Sequence, residues 1–271
     1  MLVLSLFPGI DLLGRGFELE GYCVVRGPDL IFGGDIRSFH PPAGRFDGVI
    51  GGPPCQDFSS LRRCEPSGNG LAMLSEFVRC VELARPDWFL MENVPGVPSI
   101  APEGYTVQRF DLRANECGMT QQRLRHFQFG SNCDEVLLLN RDARQAVTAR
   151  AATAIEGTQQ QRRGWAEFCM SQGLPADFEL PGFTLAAKYR AVGNAVPIPV
   201  ARFVARAIRD SRYPADLIRL CCCGCGRSVQ GKQTHALPAC RKRMQRRRDA
   251  VQSGDTRRDT ASDVRSQERA A

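Results

Sequence analysis

An α/β domain built on a largely parallel sheet, followed by a small cysteine-rich C-terminal appendage, is the fold class this sequence predicts. Short apolar runs alternate with helical periodicity through the first two hundred or so residues, as strand–helix units require. The 271-residue length suits one core with an attachment, because single cores stop growing near ~250–300 residues. Beyond Arg212 the composition changes abruptly to clustered cysteines and then to arginines.

The elements follow in order. Leu2 to Leu6 is an apolar strand, Phe7-Pro8-Gly9 a turn, and Leu12, Leu13, Gly16, Phe17 and Leu19 fall on one helical face. Further strands are expected at Tyr22–Val25, Leu30–Phe32, Asp47–Ile50, Trp88–Met91 and Tyr105–Phe110, with a helix over Leu71–Ala84. Gln128-Phe129-Gly130 closes another strand after Arg125. From Ser131 to Arg163 the periodicity weakens; it returns as helices at Trp165–Gln172 and, after a Gly-Asn-Ala-Val-Pro turn, at Ile198–Ile208. The sequence therefore divides into a core over 1–130, a connector over 131–163, a return to the core over 164–212, a Cys/His module over 213–249 and a disordered tail over 250–271.

Composition and charge narrow the function. With 43% hydrophobic and 24% charged residues, wholesale disorder is excluded, and no apolar run approaches the ~20 residues of a membrane span. The opening residues lack a basic segment and a small-residue cleavage site, so a cytoplasmic protein is expected. Of 36 basic and 29 acidic residues, 221–271 hold 12 and 5, leaving 24 of each in the body; the whole net charge of +7 sits in the tail. Only three of the basic residues are Lys, and Arg suits bidentate phosphate contacts, so a polyanion is the leading partner. Twelve cysteines in such a chain are expected to be reduced. Seven are scattered through the body, where most pack as small hydrophobes.

One of the seven stands apart. Cys55 lies in Gly51-Gly52-Pro53-Pro54-Cys55-Gln56 directly after a strand, where open α/β sheets collect reactive groups. Prolines stiffen its backbone and glycines permit close approach, which places the thiol either as a nucleophile or in a rigid turn. Glu92-Asn93-Val94 ends the next strand and presents a carboxylate able to bond or protonate a ring nitrogen. Arg123 and Arg125 share a period-two spacing that aims both at one face of a strand.

Phe7-Pro8-Gly9, Gly52-Pro53-Pro54-Cys55-Gln56, Glu92-Asn93-Val94, Gln121-x-Arg123-x-Arg125 and Gly193-Asn194-Ala195-Val196-Pro197, in this order over residues 1–210, resemble the motif series of DNA (cytosine-5) methyltransferases. The resemblance implies a Rossmann-like S-adenosylmethionine-dependent methyltransferase fold. It implies Cys55 as the nucleophile toward carbon 6 of cytosine, Glu92 at ring nitrogen 3, and Arg123 and Arg125 on the flipped nucleotide. It further implies a site for S-adenosylmethionine at Phe7, Gly9 and Ile10 for the methionine part, Asp29 for the ribose, Asp35 and Ile36 for the adenine, with Pro54, Asn194 and Val196 completing the pocket. Asp11-Leu12 departs from the two glycines usual in the family; Asp11 points either to solvent or to the cofactor's ammonium. The 131–163 segment is far shorter than the family's recognition domain, so a minimal target-recognition element and a short or relaxed target are expected.

The tail carries a second signal. Cys223-x-Cys225-x9-His235-x4-Cys240 offers four ligands for a structural Zn2+, with Cys221 or Cys222 able to replace Cys223. A basic run from Arg241 to Arg248 adjoins it, as a phosphate-binding element requires. The leading reading is a monomeric cytosine-5 methyltransferase of double-stranded DNA in a restriction-modification, phage-protection or regulatory setting. A catalytically weak DNA-binding relative, and an RNA methylase, are the rivals.

Overall fold

The computed structural model describes residues 1–59, 65–141 and 145–252. Its main sheet has six strands in the order β2-β1-β3-β4-β6-β5: β1 Leu2–Leu6, β2 Cys23–Arg26, β3 Gly48–Gly51, β4 Trp88–Asn93, β5 Thr106–Arg113 and β6 Leu124–Ser131. The first four pair in parallel, and β6 runs antiparallel between β4 and β5. Every residue of β3 and β4 is buried, which is why these strands read as continuous apolar runs rather than alternating ones.

Helices cover both faces. Val3, Ile50 and Leu90 point toward α1 (Leu12–Glu18) and α5 (Ile198–Asp210), meeting Phe17, Val200, Val204 and Ile208. Leu4, Leu6, Val49, Phe89 and Met91 point the other way, onto Met73, Phe77 and Val81 of α2 (Asn69–Ala84). The period-two alternation of strand side chains thus divides one run between two cores. Gly16 is required where α1 crosses α5, since a Cβ there would lie 2.3 Å from the Ala201 Cβ. The helices α3 (Trp165–Met170) and α4 (Leu185–Asn194) form a third cluster around Phe168, Tyr189 and Ala152, adjoining Leu12 of α1.

Several expectations change. Leu30–Phe32 is a 3-10 turn instead of a strand: the Asp29 carboxylate accepts the Ile31 N–H at 2.9 Å and closes the chain on itself. The 131–163 connector contributes β7 (Glu135–Leu137), which pairs with β8 (Arg212–Pro214) beyond α5. The Gly-Asn-Ala-Val-Pro segment is entered from α4, which ends at Asn194. Residues 250–252, placed in the disordered tail by composition, complete α6 (Pro238–Gln252), and the remainder of that tail, 253–271, lies outside the described residues. Among the described residues no helix is long and apolar enough to cross a membrane.

Candidate active site

The carboxyl ends of β3 and β4 bring the expected chemistry together. Gly51 ends β3 against the Leu6 carbonyl, where a Cβ would come within 2.8 Å, and the chain continues through Pro53 and Pro54 to a half-buried Cys55. Asn93, the last residue of β4, donates its Nδ2 hydrogen to the Pro53 carbonyl at 3.0 Å and accepts the Val94 N–H at 2.9 Å, fixing the Cys55 loop to the strand beside it. Glu92 is buried one residue earlier and pairs with Arg125 Nε at 2.8 Å. Gly52 admits this carboxylate: a Cβ there would lie 3.1 Å from Glu92 Oε2.

Burial raises the Glu92 carboxyl above the usual carboxylate range, against the lowering pull of Arg125 and Arg123. Burial also raises the Cys55 thiol, the Glu92 charge adds to this, and Arg125 opposes it. The two groups therefore sense each other across the ends of adjacent strands, and burial disfavours the charged form of each.

The two arginines diverge. Arg125 lies within β6 and reaches Glu92, whereas Arg123 precedes the strand, so the period-two argument does not govern it. Arg123 is buried and donates to the carbonyls of Ala152, Gly193, Asn194 and Ala195. It ties the connector and the end of α4 to the site, and its two Nη atoms are committed to the backbone. Gln121 and Gln172 extend this hub: Gln121 Oε1 accepts the Ala152 N–H at 3.0 Å, and Gln172 Nε2 donates to the Val192 carbonyl at 2.8 Å. Asn93 and Gln121 belong to the motifs that carry Glu92 and Arg123, but their positioning roles have no signature in the sequence, and Gln172 has no local signal at all.

The β1–α1 turn holds the first group of expected cofactor residues. Phe7, Gly9 and Asp11 all have positive φ, near 52°, so the chain coils tightly after β1. The Gly9 N–H donates to Asp29 Oδ2 at 2.8 Å, which joins this turn to the end of β2. Leu30 and Phe32, in the turn that Asp29 caps, are each 72% exposed and leave an unpartnered apolar ledge beside that carboxylate. Asp35 accepts the Arg37 N–H and pairs with its guanidinium, which holds its carboxyl below the usual range. Ile10 and Pro54 are half-buried, and Asn194 is exposed. Ile36 and Val196 instead pack into the two cores, so each offers this region chiefly its backbone.

Asp11 takes neither of the orientations expected of it. It is buried, accepting from Ser5 Oγ and from the Gly14 N–H, both at 2.9 Å, as the cap of α1. Arg26 Nε stands 2.9 Å from its other oxygen as a charge contact without hydrogen-bond alignment.

The C-terminal cysteines also converge, with one substitution in the expected set. The sulfurs of Cys221, Cys223, Cys225 and Cys240, all buried, lie within 4.8 Å of one another. His235 is not among them: its Nε2 lies 3.3 Å from the exposed Cys222 Sγ. The chain turns through Gly224 and Gly226, both at positive φ, with the Gly224 N–H donating to the Cys221 carbonyl at 3.0 Å, while the Cys222 N–H donates to the Thr234 carbonyl at 3.0 Å and so sets His235 beside the exposed Cys222.

The family sequence model of C-5 cytosine-specific DNA methylases matches residues 32–162 and 142–210. The Type II methyltransferase M.HgiDI of Herpetosiphon aurantiacus is 35% identical over 118 residues, 38% of this chain and 38% of that protein. The Type II methyltransferase M.DdeI of Desulfomicrobium norvegicum is 29% identical over 174 residues, 51% of this chain and 42% of its own length. The chain thus spans about two fifths of the length of these curated relatives. A solved structure of a Spodoptera frugiperda DNMT2 mutant superposes with a TM-score of 0.55 at 14% identity, over 77% of this chain and 99% of that one, a likeness of fold.

Proposed function

The chain belongs to the C-5 cytosine-specific DNA methylase family, and on that premise we propose that it transfers a methyl group from S-adenosylmethionine to carbon 5 of a cytosine flipped out of double-stranded DNA. The observation that carries this reading is the juxtaposition of Cys55, Glu92 and Arg125 at the ends of β3, β4 and β6.

Carbon 5 of cytosine is a weak nucleophile, so the chain must first raise its electron density. Cys55, as thiolate, adds to carbon 6, and the displaced electron pair moves through carbon 5 toward the ring's nitrogen 3. Glu92, whose carboxyl burial raises above the usual range, bonds or protonates that nitrogen and offsets the developing charge. Arg125 holds Glu92 in place and offers its remaining donors to the base carbonyl. Arg123 acts one layer out, fixing the connector and the α4 end around the pocket. After carbon 5 has gained the methyl group, loss of its hydrogen as a proton lets the Cys55–carbon 6 bond break and returns the thiolate.

S-adenosylmethionine supplies an electrophilic methyl group on sulfur when bound. The residues present fit it: the tight turn of Phe7, Gly9 and Ile10 would take the methionine part, Asp29 the ribose hydroxyls, and the exposed Leu30–Phe32 ledge with Asp35 the adenine. Asp11, turned inward as a helix cap, leaves that turn without a repelling carboxylate. Pro54 and Asn194 border the same region from the other side.

Residues 131–163 serve as a minimal target-recognition segment, anchored by Gln121 and Arg123 through Ala152. The C-terminal module adds a structural Zn2+ on the four clustered cysteines and a phosphate-binding helix. On α6, Arg241, Lys242, Arg246 and Arg248 are exposed, and among the described residues none forms an ion pair. The protein is read as a cytoplasmic monomer.

Incubation of the full chain with S-adenosylmethionine labelled in its methyl group and mixed-sequence DNA, followed by base-resolved mapping, tests the activity. Label at carbon 5 of cytosine in a short sequence context is expected. Transfer to RNA alone, or cofactor binding without transfer, would overturn it. For the tail, the quadruple change of Arg241, Lys242, Arg246 and Arg248 to Glu is expected to weaken DNA binding. It should also flatten the log–log salt slope by up to about 0.9 for each side chain that meets a phosphate, measured by fluorescence anisotropy. A slope equal to the parent's would remove α6 from the DNA interface while leaving the chemistry untouched.

A further inference from the structure

Arg141 is a buried cation whose bonding is incomplete. Its side chain is 0% exposed, and Nη1 stands 3.0 Å from Glu116 Oε2. Its Nε and Nη2 are buried and, among the described residues, have no hydrogen-bond partner. Glu116 balances one charge, but its carboxylate also accepts the Arg113 N–H at the start of the 3-10 turn after β5, so it cannot meet the remaining donors. A buried guanidinium with unmet N–H groups is unfavourable unless an anionic group faces it.

The four-cysteine knot lies beside it. Leu139, two residues before Arg141, donates its N–H to the Gly226 carbonyl at 3.0 Å, and Gly226 packs its Cα against the Leu139 side chain. Gly224 approaches the Arg109 carbonyl on β5, where a Cβ would sit 3.1 Å away. The loop carrying Cys223 and Cys225 is thereby seated on the segment that leads into Arg141; burial lowers the Arg141 guanidinium below its usual range, Glu116 and then Cys225 oppose this, and Arg227 and Arg243 add to it.

The sulfur spacing suits a metal. A tetrahedron with ~2.3 Å metal–sulfur bonds has edges of about 3.8 Å. Cys221 and Cys223 are 3.5 Å apart and Cys225 and Cys240 3.9 Å apart. The Ala236 N–H donates to Cys221 Sγ at 3.2 Å, a bond that a thiolate accepts better than a thiol does. With His235 outside the set, four thiolates around a divalent cation carry a net charge of −2, twice what a three-thiolate, one-histidine site would leave.

We infer that the knot takes a soft divalent cation, foremost Zn2+, as an all-thiolate centre of net charge −2, and that Arg141 is the positioning residue that offsets part of that charge from the core side. This rests on the zinc reading above and adds the ligand set, the charge and the counter-cation. On binding, four S–H groups release their protons to solvent and four sulfur–metal bonds form, with no change of oxidation state. Arg141 then joins the metal to Glu116 and the turn after β5, so the C-terminal module is locked to the catalytic domain by charge as well as by packing.

The full chain, purified under reducing conditions, is to be analysed for zinc and iron. It is then loaded with Co2+ for its visible spectrum and challenged with a chromogenic chelator. About one metal per chain and a cobalt spectrum of four-sulfur type are expected. Cys221→Ser should lose the metal and His235→Ala should keep it. Arg141→Gln should release metal roughly 10–100-fold faster, the scale seen when a partner outside the ligand shell is removed, and Arg141→Lys should recover part of that loss. Glu116→Gln breaks the same ion pair without touching the compensating charge, so it should release metal no faster than the parent. If Arg141 matters only as half of a buried pair, Arg141→Gln and Glu116→Gln will accelerate release alike, and the inference fails. Iron in place of zinc with the four-sulfur spectrum retained supports the all-thiolate site and changes its occupant. A spectrum with nitrogen ligation, or no uptake of any metal, overturns the ligand set. Methyl transfer on saturating DNA is measured beside each variant, so failure of the metal site and failure of the methyltransferase reading are told apart.

Discussion

Replacing Cys55 with alanine is expected to bring methyl transfer below detection while leaving S-adenosylmethionine binding near the parent value. The thiol is the group assigned to attack the base. The residues assigned to the cofactor lie mainly across the β1–α1 turn and the end of β2, held by the Gly9–Asp29 hydrogen bond. Alanine fits where a half-buried Cys55 stood, so the loop, pinned by Asn93 to the Pro53 carbonyl, should keep its course. At rest the thiol is raised by burial and by the Glu92 charge, so few molecules carry a free thiolate and unselective alkylation of Cys55 should be slow. A cytosine entering between Cys55 and Glu92 changes this, because it can accept the carboxyl proton as the thiolate adds. DNA bearing 5-fluorocytosine is expected to trap the parent as a denaturant-stable adduct, since fluorine at carbon 5 cannot leave as a proton, and Cys55→Ala should form none. Labelled-methyl incorporation and gel mobility of the adduct check both. Transfer by the alanine variant at the parent rate would show that another group carries the reaction.

The central strands were legible because burial on both faces leaves an unbroken apolar run; Leu2–Leu6 and Trp88–Asn93 are of this kind, and α2 and α5 announced themselves by amphipathic spacing. Leu30–Phe32 has the same apolar character and is no strand, because the Asp29 side chain offers its backbone a closer partner than any neighbouring strand. The β7–β8 pair joins residues more than seventy positions apart through three-residue strands, too short for periodicity to register. α6 has no apolar stripe and resembles a solvated tail in composition; its anchor is Cys240 and Met244 in the knot.

Within the site, Cys55 and Glu92 were recognisable because both lie at the carboxyl ends of strands, Cys55 in the loop after β3 and Glu92 as the penultimate residue of β4. Side-chain destinations were not. Arg123 and Arg125 look equivalent on paper, yet one precedes β6 and turns to four carbonyls while the other meets Glu92. Cys221 and His235 exchange places for a related reason: ligand sets are decided by how a loop turns, and the glycines at 224 and 226 turn this one at positive φ.

Glu92→Gln is expected to slow transfer by ~10²–10⁴, the contribution of one well-placed proton donor, and to change the shape of the pH profile as well as its height. In the parent, burial raises both Cys55 and Glu92, and the reactive arrangement needs the pair to hold a single proton, with sulfur ionised and the carboxyl protonated. Raising the pH removes the first proton and builds that arrangement; raising it further removes the second and destroys it. The rate therefore climbs and then falls. Glutamine has no proton to lose at this position, so the descending limb should vanish. The Glu92 charge is also one of the causes raising the Cys55 thiol, and its removal should quicken alkylation of Cys55 in the free protein. The amide preserves the shape of the side chain beside Gly52 and can still face Arg125, which keeps the fold intact for the comparison. Measuring kcat/KM against pH for both proteins decides the matter: a variant that is slower but keeps the falling limb assigns Glu92 to structure and the acid to another group.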